Sequence, residues 1–139
     1  MLERAQGCCE YCQILGWPLT IDHIRPVRAA PASRAAHPDQ PVALDAPENL
    51  AAACFPCNRA KWDAISGYDA LTDQDAPLFH PRLDHWNVHF SWTSDYQEIV
   101  GLTPTGRATV ARLRLNRDLY RQQRRRLRAA MRGGAPPWP

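Results

Sequence analysis

The chain has no apolar run near the roughly 20 residues a membrane-spanning helix needs. Its opening stretch, MLERAQGCCEYC, carries an acid and lacks the hydrophobic core of a secretory signal, so a cytoplasmic protein is the expectation. An odd number of cysteines, five, argues against a closed disulfide framework. In a reducing compartment such thiols more often ligate metal than pair with each other. Lysine is nearly absent, with Lys61 alone against sixteen arginines. At 139 residues there is room for one compact domain with a modest core and little for a second.

Acid is missing from one end of the chain. Residues 1–98 hold seven Arg or Lys and thirteen Asp or Glu, a balance of −6, whereas residues 99–139 hold ten Arg and only Asp118, a balance of +9. The overall charge of +3 hides a polycationic C-terminal segment.

Read along the chain, Gly7 to Cys12 is a short turn carrying thiols, and LTIDHI (residues 19–24) has the β-branched, apolar character of a short strand. The next stretch has prolines at 26, 31, 38, 41 and 47, which exclude a continuous helix or central strand and predict a long irregular loop. NLAAAC supplies a partner strand, and NRAKWDAIS reads as a short helix stopping at Gly67. GYDALTDQDAPLFHPRLDHWN reads as a polar connector. VHFSW and QEIVGL alternate like a hairpin around TSDY. Thr103 and Thr105 offer caps for a helix, and a second helical stretch runs to Gly133-Gly134. Val110, Leu113, Leu115, Leu119, Tyr120 and Leu127 are spaced for burial on one face, with the arginines outside.

Cys9-x2-Cys12 and Cys54-x2-Cys57 each have the spacing that brings two sulfurs to one tetrahedral ion, and 41 residues separate the pairs. Together they predict a closed four-thiolate site that supports structure and has no open position for catalysis. The alternatives are buried free thiols, or iron in place of zinc as in a rubredoxin-like redox site. Cys8 is the spare; Cys9 is preferred as ligand because it restores the two-residue gap.

Asp22 and His23 stand side by side in IDHIRP. A carboxylate is a hard ligand suited to Mg2+ or Mn2+, and a neutral imidazole takes a proton from water near neutral pH, so the pair is equipped for metal-assisted hydrolysis. Alone, the dipeptide is a weak signal, since a histidine in an apolar stretch is more often a hydrogen-bonded structural residue. The order of the parts is more informative: thiol pair, Asp-His, Asn-Leu, thiol pair, Asn, then a basic residue three positions on.

Through CEYC, IDHIRP, ENLAAAC and CNRAK, over roughly residues 8–65, the sequence resembles the HNH endonucleases. The resemblance implies an α+β fold. Its core is a ββα-metal unit with a structural zinc, in which a two-stranded hairpin and a helix clasp one catalytic divalent ion. It implies His23 as the general base, Asp22 and Asn58 as ligands of the catalytic metal, and Asn49 as the residue orienting the catalytic loop. Arg59 and Lys61 then suit flanking phosphates, or else form a solvated helix face. The sequence departs from the family in its long proline-rich loop, where a short glycine-containing segment is common, and in Asn58 where histidine is common. An amide favours Mg2+ or Mn2+ over softer ions.

PLFHPRLDHWNVHFSW and IVGLTPTGRATVARLRLNR resemble the C-terminal extension of a subset of bacterial HNH proteins. The expected organisation is a nuclease core over residues 1–67 and an extension over residues 68–139 packed on it. Trp86, Phe90 and Trp92 read as core residues of the extension. His80, His85, His89 and Asp84 invite a second metal site, but their spacing in a segment leading to a strand does not converge on a point. Arg82 and Arg107 suit either a buried carboxylate or DNA. Arg124, Arg125 and Arg126, with their neighbours, suit phosphate contacts, since six arginines without an intervening acid repel one another. GGAPPWP reads as a surface tail, with Trp138 as a possible anchor.

Two function classes follow. The first is a metal-dependent HNH endonuclease acting on DNA, with zinc as the structural ion and Mg2+ or Mn2+ as the catalytic one. The second is a zinc-stapled DNA-binding module that does not cleave. The catalytic set of Asp22, His23, Asn49 and Asn58 favours the first.

Overall fold

The computed structural model describes residues 2–26 and 44–131. Most of the proline-rich loop, Gly133-Gly134 and Trp138 lie outside them. Over the described residues the architecture is α+β, built from three two-stranded antiparallel sheets and helices that pack between them. Among the described residues no helix is long and apolar enough to cross a membrane.

A short helix α1 (Leu2–Ala5) leads into the first thiol turn. Strand β1 (Leu19–His23) then pairs with β2 (Leu50–Cys54), Asp22 opposite Ala51 and His23 opposite Leu50. The small side chains of Ala51, Ala52 and Ala53, all fully buried, let helix α2 (Phe55–Lys61) and the first thiol turn close over the sheet. Helix α2 starts three residues before the predicted helix, because Pro56 suits its first turn. It ends at Lys61, well short of Gly67, because Trp62 has a positive φ of 53° and leaves the helical path.

The predicted polar connector is a hairpin, β3 (Ser66–Asp69) and β4 (Gln74–Pro77). Five of its eight strand residues are exposed, so it lacks the alternating apolar pattern that betrays a half-buried strand. A helical turn α3 (Trp86–His89) precedes the hairpin β5 (Phe90–Trp92) and β6 (Ile99–Gly101), the one read from the sequence. Trp86, Phe90 and Trp92 pack there as the sequence implied, with Trp86 stacked on Trp92 at 5.4 Å.

Helix α4 (Pro104–Leu113) is capped by Thr103, whose hydroxyl oxygen accepts from Gly106 N at 3.1 Å. At Gly106 a Cβ would collide with the His89 carbonyl, so glycine is what allows α4 to sit on the β5–β6 hairpin. Helix α5 (Asp118–Ala130) buries Tyr120 against the first thiol region. Leu119, expected inside, is half exposed, and Arg124, expected outside, is buried.

Candidate metal centres and catalytic constellation

Two local turns deliver the thiols. In the first, Gln13 N donates to the Cys9 carbonyl at 2.9 Å and Gln13 takes a positive φ of 59°, folding Cys9 and Cys12 toward each other. In the second, Cys54 ends β2 and Cys57 lies in the first turn of α2. All four residues are fully buried, and their sulfurs lie within 4.8 Å of one another. Cys8 stands apart, on the small bridge to Leu15, which settles Cys9 as the member of the quartet.

Sulfurs at about 2.3 Å from a tetrahedral zinc sit about 3.8 Å apart. Cys12 Sγ and Cys54 Sγ are 3.8 Å apart. Burial pushes the Cys12 and Cys57 thiols up, so ionising all four at this spacing calls for a cation among them. The quartet fits zinc in number, donor type and spacing.

Residues distant in sequence surround it. The Tyr120 hydroxyl from α5 is hydrogen-bonded to Cys57 Sγ at 3.1 Å, and Arg124 Nη2 donates to the Cys12 carbonyl at 3.3 Å. Arg124 is 3% exposed and lies over the Trp92 ring at 5.1 Å. This corrects the reading of Arg124 as a phosphate contact: its guanidinium is buried beside the thiol quartet, bonded to the Cys12 carbonyl. Glu10 fixes the first turn to β2 by accepting from Ala52 N at 2.7 Å, and Arg82 from the second half of the chain pairs with Glu10.

Beside the quartet, β1 and α2 share a polar seam. Asn58 Nδ2 donates to Thr20 Oγ1 at 2.9 Å and to the Ile21 carbonyl at 3.1 Å. One helical turn on, Lys61 Nζ lies 3.2 Å from Asp22 Oδ1 and donates to the His23 carbonyl at 2.8 Å. Tyr11 donates to Asp22 Oδ2 at 2.6 Å. Asp22 is 2% exposed and Lys61 1%. Burial pushes the Asp22 carboxyl up, opposed by Lys61 and Tyr11, while burial pulls the Lys61 ammonium down. Lys61 is thereby corrected too: it balances Asp22 inside the protein and has no surface from which to reach phosphate.

His23 sits on the more open side of β1. Its Nε2 lies 3.0 Å from Asp45 Oδ1; a carboxylate can only accept, so Nε2 donates, and in the neutral ring that tautomer leaves the lone pair on Nδ1. Asn49 is buried, and its amide spans both sides of the loop. Oδ1 accepts from Arg25 N at 2.8 Å, and Nδ2 donates to the carbonyls of Arg25 at 3.0 Å and Leu44 at 2.9 Å. By donor chemistry, the Asp22 carboxylate and the amide oxygen of Asn58 suit a hard divalent ion. Lys61 and Tyr11 already occupy the carboxylate, so such an ion competes with them.

The remaining candidates divide. Arg59 and Arg126 are exposed, and Arg125 Nη2 donates to Gln97 Oε1 at 2.8 Å. Arg107 pairs with Asp69 at 2.7 Å, resolving it toward a carboxylate, as Arg82 is. His89 Nδ1 lies 2.6 Å from Thr103 Oγ1 and His80 Nδ1 accepts from Arg82 N, so these rings serve local structure. Among the described residues only the cysteine quartet gathers a metal-ligand cluster. The sequence reading missed Tyr11, Asp45 and Tyr120. Tyr11 had a signal, being enclosed by the first thiol pair, and Tyr120 carried only that of a buried helix face; Asp45 had no signal.

Residues 9–63 match the family model described as HNH endonuclease. No curated protein and no solved structure matches the chain significantly.

Proposed function

We propose, from the match of residues 9–63 to the HNH endonuclease family model, that the chain hydrolyses DNA phosphodiester bonds with a divalent metal ion. The observation that supports this most is the convergence of Asp22, His23, Asn49 and Asn58 on one unit of β1, β2 and α2.

In this reading His23 accepts at Nδ1 the proton of the attacking water, while Asp45 holds Nε2 and so fixes the tautomer. Asn49 ties residues 25 and 44 together, holding the loop ends beside His23. Asp22 and Asn58 would hold Mg2+ or Mn2+, and the chemistry such an ion would supply is stabilisation of charge on the scissile phosphate and the leaving oxygen. The cysteine quartet would hold zinc and so anchor the first turn of α2, the turn that carries Asn58. Arg59, Arg125 and Arg126 are assigned to DNA phosphates. Four free thiols in one quartet suit a reducing cytoplasm, where we place the protein.

A second reading, the zinc-stapled module that binds DNA without cutting it, draws on the closure of Asp22 by Lys61 and Tyr11. Incubation of the full chain with supercoiled plasmid separates the two. Nicked or linear product that depends on Mg2+ or Mn2+ supports the nuclease. Binding without product under every divalent ion supports the module.

A further inference from the structure

Helix α2 and the link between α4 and α5 enclose an open groove of about 530 Å3. Phe55, 60% exposed, lines it together with Arg59 from α2 and with Arg112, Arg114 and Arg117 from the end of α4 and the link to α5. We infer that this groove receives the sugar-phosphate backbone of a DNA duplex, held by Arg59, Arg112, Arg114 and Arg117. The inference rests on the nuclease reading only for the choice of DNA; the groove itself is independent of the catalytic residues.

The first support is charge. Among the described residues, ion pairs take up Arg4, Lys61, Arg82, Arg107 and Arg121, and none includes any of the four groove arginines. Four guanidinium groups around one hollow without a carboxylate repel one another until an anion with several charges enters. The arginine run on α5 differs, since Arg121 is already held by Glu98 at 2.6 Å and Asp118 at 3.0 Å.

Positioning is the second. Arg117 Nη2 donates to the Leu113 carbonyl at 2.9 Å while its guanidinium lies over the Tyr120 ring at 4.7 Å. Arg112 Nη2 lies 3.5 Å from the Lys61 carbonyl. Arg114 ends α4 in the left-handed region, with φ 52° and ψ 51°, a place glycine or asparagine usually fills. The chain turns there between the helices, putting Arg114 on the same rim as Arg112 and Arg117. Guanidinium forks held this way match phosphate oxygens with little further ordering. The exposed ring of Phe55 gives deoxyribose an apolar surface beside them.

The test measures anisotropy of a labelled duplex with the full chain, without added divalent ion, across a salt series. The double variant Arg59→Gln, Arg114→Gln replaces only exposed side chains and is expected to keep the thermal midpoint and bound metal of wild type. Each lost phosphate contact lowers the log–log salt slope by about 0.9, so the double variant is expected to lose about 1.8 and to bind several-fold more weakly. Arg121→Gln, whose charge is already paired, is expected to match wild type. An unchanged slope in the double variant overturns the proposal, as does an equal loss in Arg121→Gln, which makes the effect one of net charge. Displacement by polyglutamate but not by duplex also overturns it, assigning the groove to an acidic protein. Plasmid cleavage by wild type, assayed in parallel, separates this proposal from the nuclease reading: wild-type cleavage with an unchanged slope in the double variant defeats the groove and the Arg59 contact but not hydrolysis, and a reduced slope in the double variant without wild-type cleavage defeats only the nuclease.

Discussion

Tyr120 places its hydroxyl 3.1 Å from the sulfur of Cys57, joining the last described helix to a thiol 63 positions earlier. The same oxygen is 3.6 Å from Cys54 Sγ. Hydrogen bonds to ligating atoms hold a metal site in its binding geometry, and losing one typically costs 10- to 100-fold in affinity. Tyr120→Phe removes the hydroxyl and keeps the ring packed on Trp17. The variant is expected to fold with zinc and to yield it about tenfold more readily to a chromophoric chelator. Equal zinc affinity in the two proteins would show that the hydroxyl only fills space. Cys57→Ser, which removes a ligand outright, is expected to lose zinc and unfold.

Lys61 separates an internal counter-charge from a phosphate contact. Removing one partner of a buried pair typically destabilises by about 3–5 kcal/mol, because the other charge is left unbalanced. Lys61→Met keeps the apolar stem and leaves Asp22 without its cation. Urea unfolding at neutral pH is expected to show a loss in that range. Because burial already pushes Asp22 up, the loss shrinks as the solution is acidified and the carboxyl takes a proton. A change within about 0.5 kcal/mol, the range of ordinary surface substitutions, together with weakened DNA binding, would return Lys61 to the surface role.

The parts legible in the sequence are those whose information is local. The thiol pairs, β1, β2 and the Asp-His dipeptide each carry their signal within a few residues, and the HNH pattern adds their order. Burial of cations was not legible. Lys61 and Arg124 sit in segments whose pattern looks solvated, and only the packed structure shows Asp22 beside the first and a crowd of sulfurs and aromatic rings around the second. The β3–β4 hairpin was hidden for the opposite reason, since it is pinned by the Asp69–Arg107 pair rather than by a row of apolar residues. Asp45 could not be found from its neighbours, because its partner His23 lies across the loop.

The Asp69–Arg107 pair gives acid stability a definite sign. Arg107 grips both carboxylate oxygens, at 2.8 and 2.7 Å, and holds the Asp69 carboxyl well below the usual range. An unfolded Asp titrates near about 3.9. The stabilisation is therefore present in full above that value and is lost as pH falls through the folded one. Thermal midpoints measured down an acid series are expected to fall more steeply for wild type than for Arg107→Gln. Metal loss from protonated thiolates is common to both proteins, so parallel curves would show that the pair contributes no pH dependence.

Asp45 is a positioning residue for His23 in the proposed mechanism. Asp45→Asn keeps the size of the side chain but can present an N–H to Nε2 in place of an acceptor, permitting the wrong tautomer. The expected result is a fall in kcat of tenfold or more, on the order of the lower part of the range for general acid–base catalysis, with KM little changed. A rise in KM at constant kcat would place Asp45 in DNA binding instead.

The central claim is that His23 activates water for phosphodiester hydrolysis, and single-turnover cleavage of supercoiled plasmid by wild type and His23→Ala tests it most directly. His23 is only partly buried, so the variant is expected to keep its fold and its zinc. With saturating protein and Mg2+ or Mn2+, the account predicts cleavage by wild type and a rate about 10²- to 10⁴-fold lower for His23→Ala. Cleavage by His23→Ala at the wild-type rate would contradict it.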